Sequence, residues 1–259
     1  MAAASEKVVL ITGAARRVGA GLARDLARAG WSIAVHHRSG QAEAEALVAE
    51  LGALGVRAAA FQADLGEASQ RAGLVPAVVR HFGRVDALVN NASLFRYDTL
   101  ATLTVASWDE HLASNLTAPV FLIRDFASAV EAGGHEGVVV NILDHKVDSP
   151  NPDFFAYTVG KVGLAGLTGT LALALAPRIR ICGISPGLIL RSGDQTEAEY
   201  EAAWRDTPLG RGPSVEDVAR TARYILETPS LTGQNITLDG GESLVARGRD
   251  VAFDGKFQS

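Results

Sequence analysis

Tyr157 and Lys161 stand four residues apart in the stretch DHKVDSPNPDFFAYTVGK, residues 144–161. In a helix, this spacing places the two side chains on one face, one turn apart. A free phenol has a pKa of about 10, which is too high for efficient proton transfer at neutral pH, but a neighbouring cation favours the phenolate. The spacing therefore indicates a proton-transfer pair, although Tyr and Lys also meet by chance at this spacing on many helix surfaces.

Continuous apolar runs alternate with helical patterns along the chain. The runs predict strands at residues 8–11, 32–37, 57–61, 87–89, 138–143, 179–184 and 235–238. Helices are predicted at residues 18–30, 41–54, 65–81, 107–132, 155–176, 197–205 and 215–227. This alternation is typical of a parallel sheet covered on both faces. We expect an α/β fold: one Rossmann-type, doubly wound domain of about seven strands, with a core at residues 8–241 and a tail at residues 242–259.

Composition argues against several classes of partner. The 259 residues are 47% hydrophobic with a net charge of −5, so they can bury a core and carry no general nucleic-acid footprint. The single Cys182 fits a reducing compartment, and residues 1–7 lack a signal-peptide pattern. Residues 162–176, the longest apolar stretch, fall short of the roughly 20 residues that span a bilayer. We expect a cytoplasmic protein without metal, nucleic-acid or membrane partners.

Ligands of such a sheet bind beyond the carboxyl ends of its strands. Residues 12–19, TGAARRVG, follow the first strand and open a helix, which is the context of a phosphate-binding turn. Gly13, Arg17 and Val18 are therefore candidate cofactor residues. Arg17 stands where such a turn commonly has glycine.

The second strand ends in His37-Arg38-Ser39, whereas an NAD site would place Asp or Glu there for the ribose 2′-hydroxyl. Arg17, Arg38 and His37 would instead attract a 2′-phosphate. The predicted cofactor is therefore NADPH/NADP. The alternative is that these arginines are solvated surface residues.

With these positions in place, residues 8–241 resemble the short-chain dehydrogenase/reductase family. The resemblance rests on motifs that occur together: T-G-x-x-x-R-x-G at residues 12–19, Asn90-Asn91-Ala92, Asn115, Tyr157 with Lys161, Pro186-Gly187, and Asp239-Gly240-Gly241. The resemblance implies further cofactor contacts at Asp64, Leu65, Asn91, Ala92, Ser93, Tyr157, Lys161, Pro186, Gly187 and Leu188.

Three departures from the family pattern indicate a smaller group within the family. Most family members carry Ser where this chain has Asp144, and Gly where it has Arg17 and Ser93. Together with Phe95 and residues 37–39, these positions look like pteridine reductases, including the bacterial dihydromonapterin and dihydrofolate reductase branch, which residues 186–204 also resemble. This implies that Phe95 stacks on the pterin, that Arg17 and Ser93 lie near the cofactor phosphates and the pterin edge, and that Asp144 and Tyr157 handle protons.

The chemistry of these residue types supports that role. Reduction of a C=N bond places a hydride on carbon and a proton on nitrogen. Asp144 could accept hydrogen bonds from pterin N–H groups or, if burial keeps it protonated, pass a proton through Tyr157. Lys161 would lower the pKa of Tyr157 and hold the nicotinamide ribose, and Asn115 would support a water relay by family analogy. Phe95 could instead be a loop anchor packed on the core.

The predicted function is NADPH-dependent reduction of a pterin or a dihydrofolate-like compound, with Asp144, Tyr157 and Lys161 as catalytic residues. One alternative is a reductase of ketones or 3-oxoacyl compounds, for which Asp144 is the contrary feature. Another is a non-catalytic NADP(H)-binding regulator, against which Tyr157 and Lys161 argue. Leu164, Leu167, Leu171 and Leu175 follow one another at helical spacing, so we also expect a homotetramer or homodimer.

Overall fold

The structure is a computed structural model that describes residues 6–191, 195–245, 247–251 and 253. Seven strands form one sheet in the order β3-β2-β1-β4-β5-β6-β7, and every neighbouring pair is parallel. The strands are β1 (Val8–Ile11), β2 (Ser32–His37), β3 (Ala58–Gln62), β4 (Ala87–Asn90), β5 (Gly137–Ile142), β6 (Ile179–Pro186) and β7 (Asn235–Leu238). The predicted Rossmann-type α/β fold is confirmed.

Helices cover both faces of this sheet. They are α1 (Arg17–Arg28), α2 (Gln41–Ala53), α3 (Ala68–Phe82), α4 (Val105–Leu112), α5 (Ala118–Gly133), α6 (Phe155–Leu175), α7 (Glu197–Arg205) and α8 (Val215–Glu227). Alternate residues of β1 enter different cores: Val9 and Ile11 pack in the cluster that contains α1 and α8, and Val8 and Leu10 in the cluster that contains α3 and α5. A parallel strand buried on both faces is apolar throughout for this reason.

The order of the strands reverses at β1. The chain moves outward from β1 to β2 and β3, then returns to β4 on the other side of β1. In doubly wound sheets, the crevice for a ligand opens at this point, beyond the carboxyl ends of the strands. The turns after β1, β4, β5 and β6 therefore face one region.

The helix predicted at residues 107–132 is divided by a π-helical turn, Ala113–Thr117, that holds Asn115. Such turns insert one extra residue and often mark functional sites. Helix α6 packs closely here, because a Cβ built on Gly160 would lie 2.9 Å from the Cβ of Asn115. The extra residue lets the buried Asn115 side chain leave the regular helical path.

Helix α6 is long and apolar enough to cross a membrane by length and composition. A core helix of a soluble protein also satisfies this criterion, and α6 packs on β6, on the π-helical turn Ala113–Thr117 and on a short 3-10 turn, His145–Val147. Of the predicted leucine stripe, Leu164 is buried, and Leu171 and Leu175 pack against the core. The exposed apolar residues of α6 are instead Val162 and Leu173.

Candidate active site

The turn after β1 is held by a buried histidine that the sequence motifs did not single out. His36 Nδ1 accepts a hydrogen bond from the Gly13 amide at 3.0 Å, and His36 Nε2 lies 3.1 Å from the Ala63 carbonyl oxygen. These partners require the proton on Nε2. Burial lowers the pKa of His36 to about 4, so the ring is neutral and can accept at Nδ1. Gly13 adopts a φ of +62°, which favours glycine.

Asn91 and Thr12 join the turns after β4 and β1. The Asn91 side-chain amide donates to the carbonyl oxygens of Thr12 and Gly13 at 2.9 and 3.2 Å. The Thr12 hydroxyl accepts from the amides of Asn91 and Ala92, both at 2.9 Å. Asn91 and Ala92, both predicted to contact the cofactor, therefore form a wall beside the Gly13 turn.

The two adjacent arginines of the turn point in different directions. Arg17 has a φ of +52° and donates to the carbonyl oxygen of Arg191, which follows β6 on the far side of β1 from β2. Here Arg17 therefore contacts the loop after β6 and not the end of β2, and its contact with the cofactor stays a prediction. Arg16, which was not predicted as a site residue, lies at the end of β2 instead: it pairs with Glu43, and a Cβ on Gly40 would lie 2.8 Å from its Nη2 atom.

The other predicted residues, His37, Arg38 and Ser39, lie at the end of β2, next to the Gly40 position that Arg16 approaches. His37 is buried, and its Nδ1 atom has no hydrogen-bond partner among the described residues. Arg38 and Ser39 follow it and are exposed. An unpartnered ring nitrogen beside exposed polar residues leaves hydrogen-bonding capacity for a ligand.

The predicted residues after β3 and β6 also lie at strand ends. Asp64 Oδ1 accepts from the Gly66 amide at 2.9 Å, and Leu65 is buried. Pro186 ends β6, and the Gly187 amide donates to the Leu238 carbonyl at 3.0 Å. A Cβ on Gly187 would lie 2.9 Å from the Glu242 carboxylate. Val18 lies in the first turn of α1, and Leu188 follows Gly187 in the loop after β6.

Asn115 holds the loop after β4. Its Oδ1 atom accepts from the Ser93 hydroxyl at 3.1 Å and from the Leu94 amide at 2.8 Å, and its Nδ2 atom donates to the Leu94 carbonyl at 2.9 Å. The π-helical turn thus positions Ser93 and the chain that leads to Phe95. A role of Asn115 in a water relay stays a prediction.

Asp144, Tyr157 and Lys161 come together at the amino-terminal end of α6. The Tyr157 hydroxyl donates to Asp144 Oδ2 at 2.7 Å. Asp144 Oδ1 accepts from the Lys146 amide at 2.9 Å, which fixes the orientation of the carboxylate. Lys161 Nζ donates to the Ile142 carbonyl at 2.7 Å and lies 5.6 Å from the centroid of the Tyr157 ring.

The electrostatics of this trio differ from the prediction. Burial, and then the charge and hydrogen bond of Asp144, raise the pKa of Tyr157, and Asp250 raises it further. Burial lowers the pKa of Lys161 to about 8, against the charge of Asp144. The pKa of Tyr157 is therefore raised and not lowered as predicted, because burial and the carboxylate of Asp144 both disfavour the phenolate. Tyr157 is a protonated phenol, able to donate.

Phe95 lies beside Tyr157. Its ring stacks on Phe154 at 4.1 Å and stands nearly perpendicular to Tyr157 at 4.7 Å. The residue is 40% exposed, so part of the ring surface is available to a ligand. Phe154 was not predicted, because a phenylalanine before a helix also fits a core position. It has a left-handed φ of +56°, and its ring covers one face of Phe95.

Fold and site together define an oxidoreductase of the nucleotide-binding α/β class. A family model described as short chain dehydrogenase matches residues 7–201. The chain belongs to this family, which confirms the resemblance inferred from the motifs. Among the described residues, no group of three or more His, Cys, Asp or Glu side chains could hold a metal ion.

Solved structures narrow the comparison. The chain is 41% identical to FolM alternative dihydrofolate reductase 1 of Brucella suis in complex with NADP, with a TM-score of 0.89 and coverage of 94% of this chain and 97% of that one. It is equally identical to the corresponding Brucella canis protein complexed with NADP, with a TM-score of 0.87 and coverage of 93% and 96%.

Two further relatives share less of their sequence with this chain. The chain is 34% identical to an uncharacterized oxidoreductase of Methylorubrum extorquens, covering 91% of this chain and 97% of that protein. It is 33% identical to a 3-oxoacyl-[acyl-carrier-protein] reductase of Synechocystis, covering 93% and 98%.

Proposed function

We propose that this protein uses NADPH to reduce a pterin, dihydropterin or dihydrofolate-like substrate. The observation that carries the proposal is the 2.7 Å hydrogen bond from Tyr157 to Asp144 beside the partly exposed ring of Phe95. A flat heterocycle could stack on Phe95 while its N–H groups donate to Asp144. The relatives named as dihydrofolate reductases support the same substrate class.

The chain fits a dinucleotide with a 2′-phosphate. A Cβ on Gly13 would lie 3.1 Å from the Ala92 Cα. The turn therefore has no space for a side chain at this position, and a cofactor phosphate could approach its backbone closely. His37 Nδ1, which has no hydrogen-bond partner in the part of the chain that the structure describes, and the guanidinium of Arg16 lie at the end of β2, where a 2′-phosphate would bind. NADPH would supply the hydride, and the relatives in complex with NADP support this cofactor.

Proton handling falls to side chains of this chain. Tyr157 holds a proton at its hydroxyl, and Asp144 both orients that hydroxyl and can accept from substrate donors. Lys161, which is buried and has a pKa of about 8, would bind the ribose hydroxyls through its ammonium. Arg17, Ser93 and Phe95 would line the substrate side of the cofactor.

Arg16→Gln should lower the preference for NADPH over NADH, measured as the ratio of kcat/KM values, by about 10-fold or more. A charge-assisted hydrogen bond to a phosphate is worth about 1.5–3 kcal/mol, and NADH lacks this phosphate. Arg17→Gln is the matched control, because its side chain points to Arg191 and should leave the ratio unchanged. A larger change of this ratio in Arg17→Gln than in Arg16→Gln would show that Arg17, as the sequence predicted, contacts the 2′-phosphate.

The direct test of the function is NADPH oxidation with dihydromonapterin, dihydrobiopterin and dihydrofolate. We expect turnover of at least one of them above the rate without substrate. A folded protein that turns over none of the three would refute the proposed substrate class.

A second candidate is the reduction of ketones or 3-oxoacyl compounds. The 33% identity to a 3-oxoacyl-[acyl-carrier-protein] reductase favours it. Asp144 is the contrary feature, because a carbonyl oxygen is an acceptor and a carboxylate offers it no hydrogen. Turnover of a ketone panel without turnover of any pterin would favour this candidate.

We also infer association into a homodimer or homotetramer. Val162 and Leu173 on α6 and Phe121 on α5 are exposed apolar residues. A cavity of about 710 Å³ opens beside Val159 and Val162 and includes none of the candidate catalytic residues. Burial of this face between subunits would remove apolar surface from water.

A further inference from the structure

Residues 247–251 and 253, which we call the C-terminal strap, pack against the turns of the active site. Arg249 donates two hydrogen bonds to the Asp153 carboxylate, both at 2.8 Å, and the Asp250 amide donates to the same carboxylate at 2.8 Å. Asp153 is 1% exposed. The described part of the predicted tail is therefore joined to the rest of the domain.

A second anchor ties the strap to the turn that carries Asp144. Lys146, which is 2% exposed, pairs with Asp250 at 2.6 Å and donates to Asn151 Oδ1 at 2.7 Å. The amide of the same lysine donates to Asp144. Buried ion pairs contribute little net stability, because desolvation offsets their attraction. The Lys146–Asp250 pair is buried on both sides, whereas the Arg249 side chain of the first anchor is 36% exposed. The buried pair therefore mainly fixes the position of the strap beside the turn that carries Asp144.

The strap places an aromatic ring at the edge of the site. Phe253 lies 6.0 Å from Phe154 with the two planes 29° apart, so it continues the stack that begins with Phe95. Its ring also lies 4.8 Å from Tyr97, which is 50% exposed. Tyr97 and Phe253 therefore present an aromatic rim beyond the platform of Phe95.

The charges near this rim are balanced within the protein. The guanidinium of Arg249 lies 5.5 Å from the centroid of the Phe253 ring and pairs with Asp153, and the Tyr97 hydroxyl also points to Asp153 at 3.4 Å. The rim thus offers ring faces and edges, which suit an aryl group better than a polyhydroxyl chain.

We propose that the C-terminal strap forms the outer wall of the substrate site, where Phe253 and Tyr97 contact an aryl substituent on the bicyclic ring of the substrate. The inference rests on the proposed function for the identity of the ring, and it adds the class of substituent that the site selects.

The test is isothermal titration calorimetry, which measures the Kd of folate and of unsubstituted pterin for the protein saturated with NADP⁺. Without a hydride donor no turnover occurs, so binding is measured alone. Phe253→Ala should raise the Kd of folate about 5-fold, from the loss of an aromatic contact, and change the Kd of pterin less than about 2-fold. Phe253→Leu, which keeps apolar volume, should give an intermediate value for folate.

Two further variants distinguish a contact of the strap with the ligand from a general effect on folding. Arg249→Ala removes one anchor of the strap and should weaken folate binding in the same direction. Leu244→Ala, which changes an 84% exposed residue outside the strap, should leave both constants unchanged. Equal changes for folate and pterin in Phe253→Ala, no change for either, or no folate binding by the wild type would each overturn the inference. If both ligands bind as expected but NADPH reduces no pterin, the proposed function is refuted, whereas the inferred role of the strap in binding is supported.

Discussion

Tyr157→Phe should lower kcat for pterin reduction by about 10²–10⁴-fold, the usual contribution of a positioned general acid. The phenol is the buried donor of the site, and burial together with Asp144 raises its pKa, so it stays protonated through the neutral range. Removal of the hydroxyl leaves the substrate nitrogen without this donor. Steady-state NADPH oxidation measures the loss.

In a fluorescence titration, the Kd of the same variant for NADPH should lie within about 2-fold of the wild-type value. The substitution removes one hydroxyl group and leaves the cofactor turn unchanged. Tyr224→Phe serves as the matched control, since Tyr224 is an exposed tyrosine on α8. A decrease in kcat of less than about 10-fold for Tyr157→Phe would assign the proton to another donor.

Asp144→Ser should lower kcat/KM for a dihydropterin by about 10²–10³-fold and leave turnover of a simple ketone unchanged or higher. Serine can donate to a carbonyl, but it lacks the charged acceptor that pairs with substrate N–H groups. Each such charge-assisted bond is worth about 1.5–3 kcal/mol. Parallel assays with both substrate types distinguish the two candidate functions.

The pH profile of Asp144→Ser gives an independent reading. Asp144 is one of the groups that raise the pKa of Tyr157, so its removal should lower that pKa. Because reduction needs the protonated phenol, the alkaline decline in rate should move to lower pH in the variant. Asp148→Ser, an exposed carboxylate of the same turn, should keep the wild-type profile. An unshifted profile in Asp144→Ser would contradict the coupling of the two groups.

The sequence predicted those parts of the fold and site that depend on local pattern. Apolar runs that alternate with helices require a parallel sheet, and the carboxyl ends of its strands must meet at one edge. Asn91 and Asp144 are near that edge for this reason. The pairing of Tyr157 with Asp144 follows once the end of β5 and the start of α6 are placed side by side.

The remaining features depend on backbone direction and on contacts between distant residues. Arg16 and Arg17 are neighbours of the same type, but Arg16 pairs with Glu43 and Arg17, with its left-handed φ, donates to the Arg191 carbonyl. The π-helical turn at Asn115 interrupts a continuous helical pattern and leaves no trace in composition. The strap contacts Asp153 across 96 positions, a distance at which periodicity carries no information.

Phe154 shows how the site limits attempts to stabilise this enzyme. A bulky residue in the left-handed region costs about 1–2 kcal/mol relative to ordinary backbone, and glycine or asparagine would remove most of that cost. Either replacement would also remove the ring that supports Phe95 on one side and meets Phe253 on the other. A search for heat-resistant variants should therefore find gains at position 154 that are accompanied by weaker substrate binding, so this position is one where thermostability and affinity are in conflict.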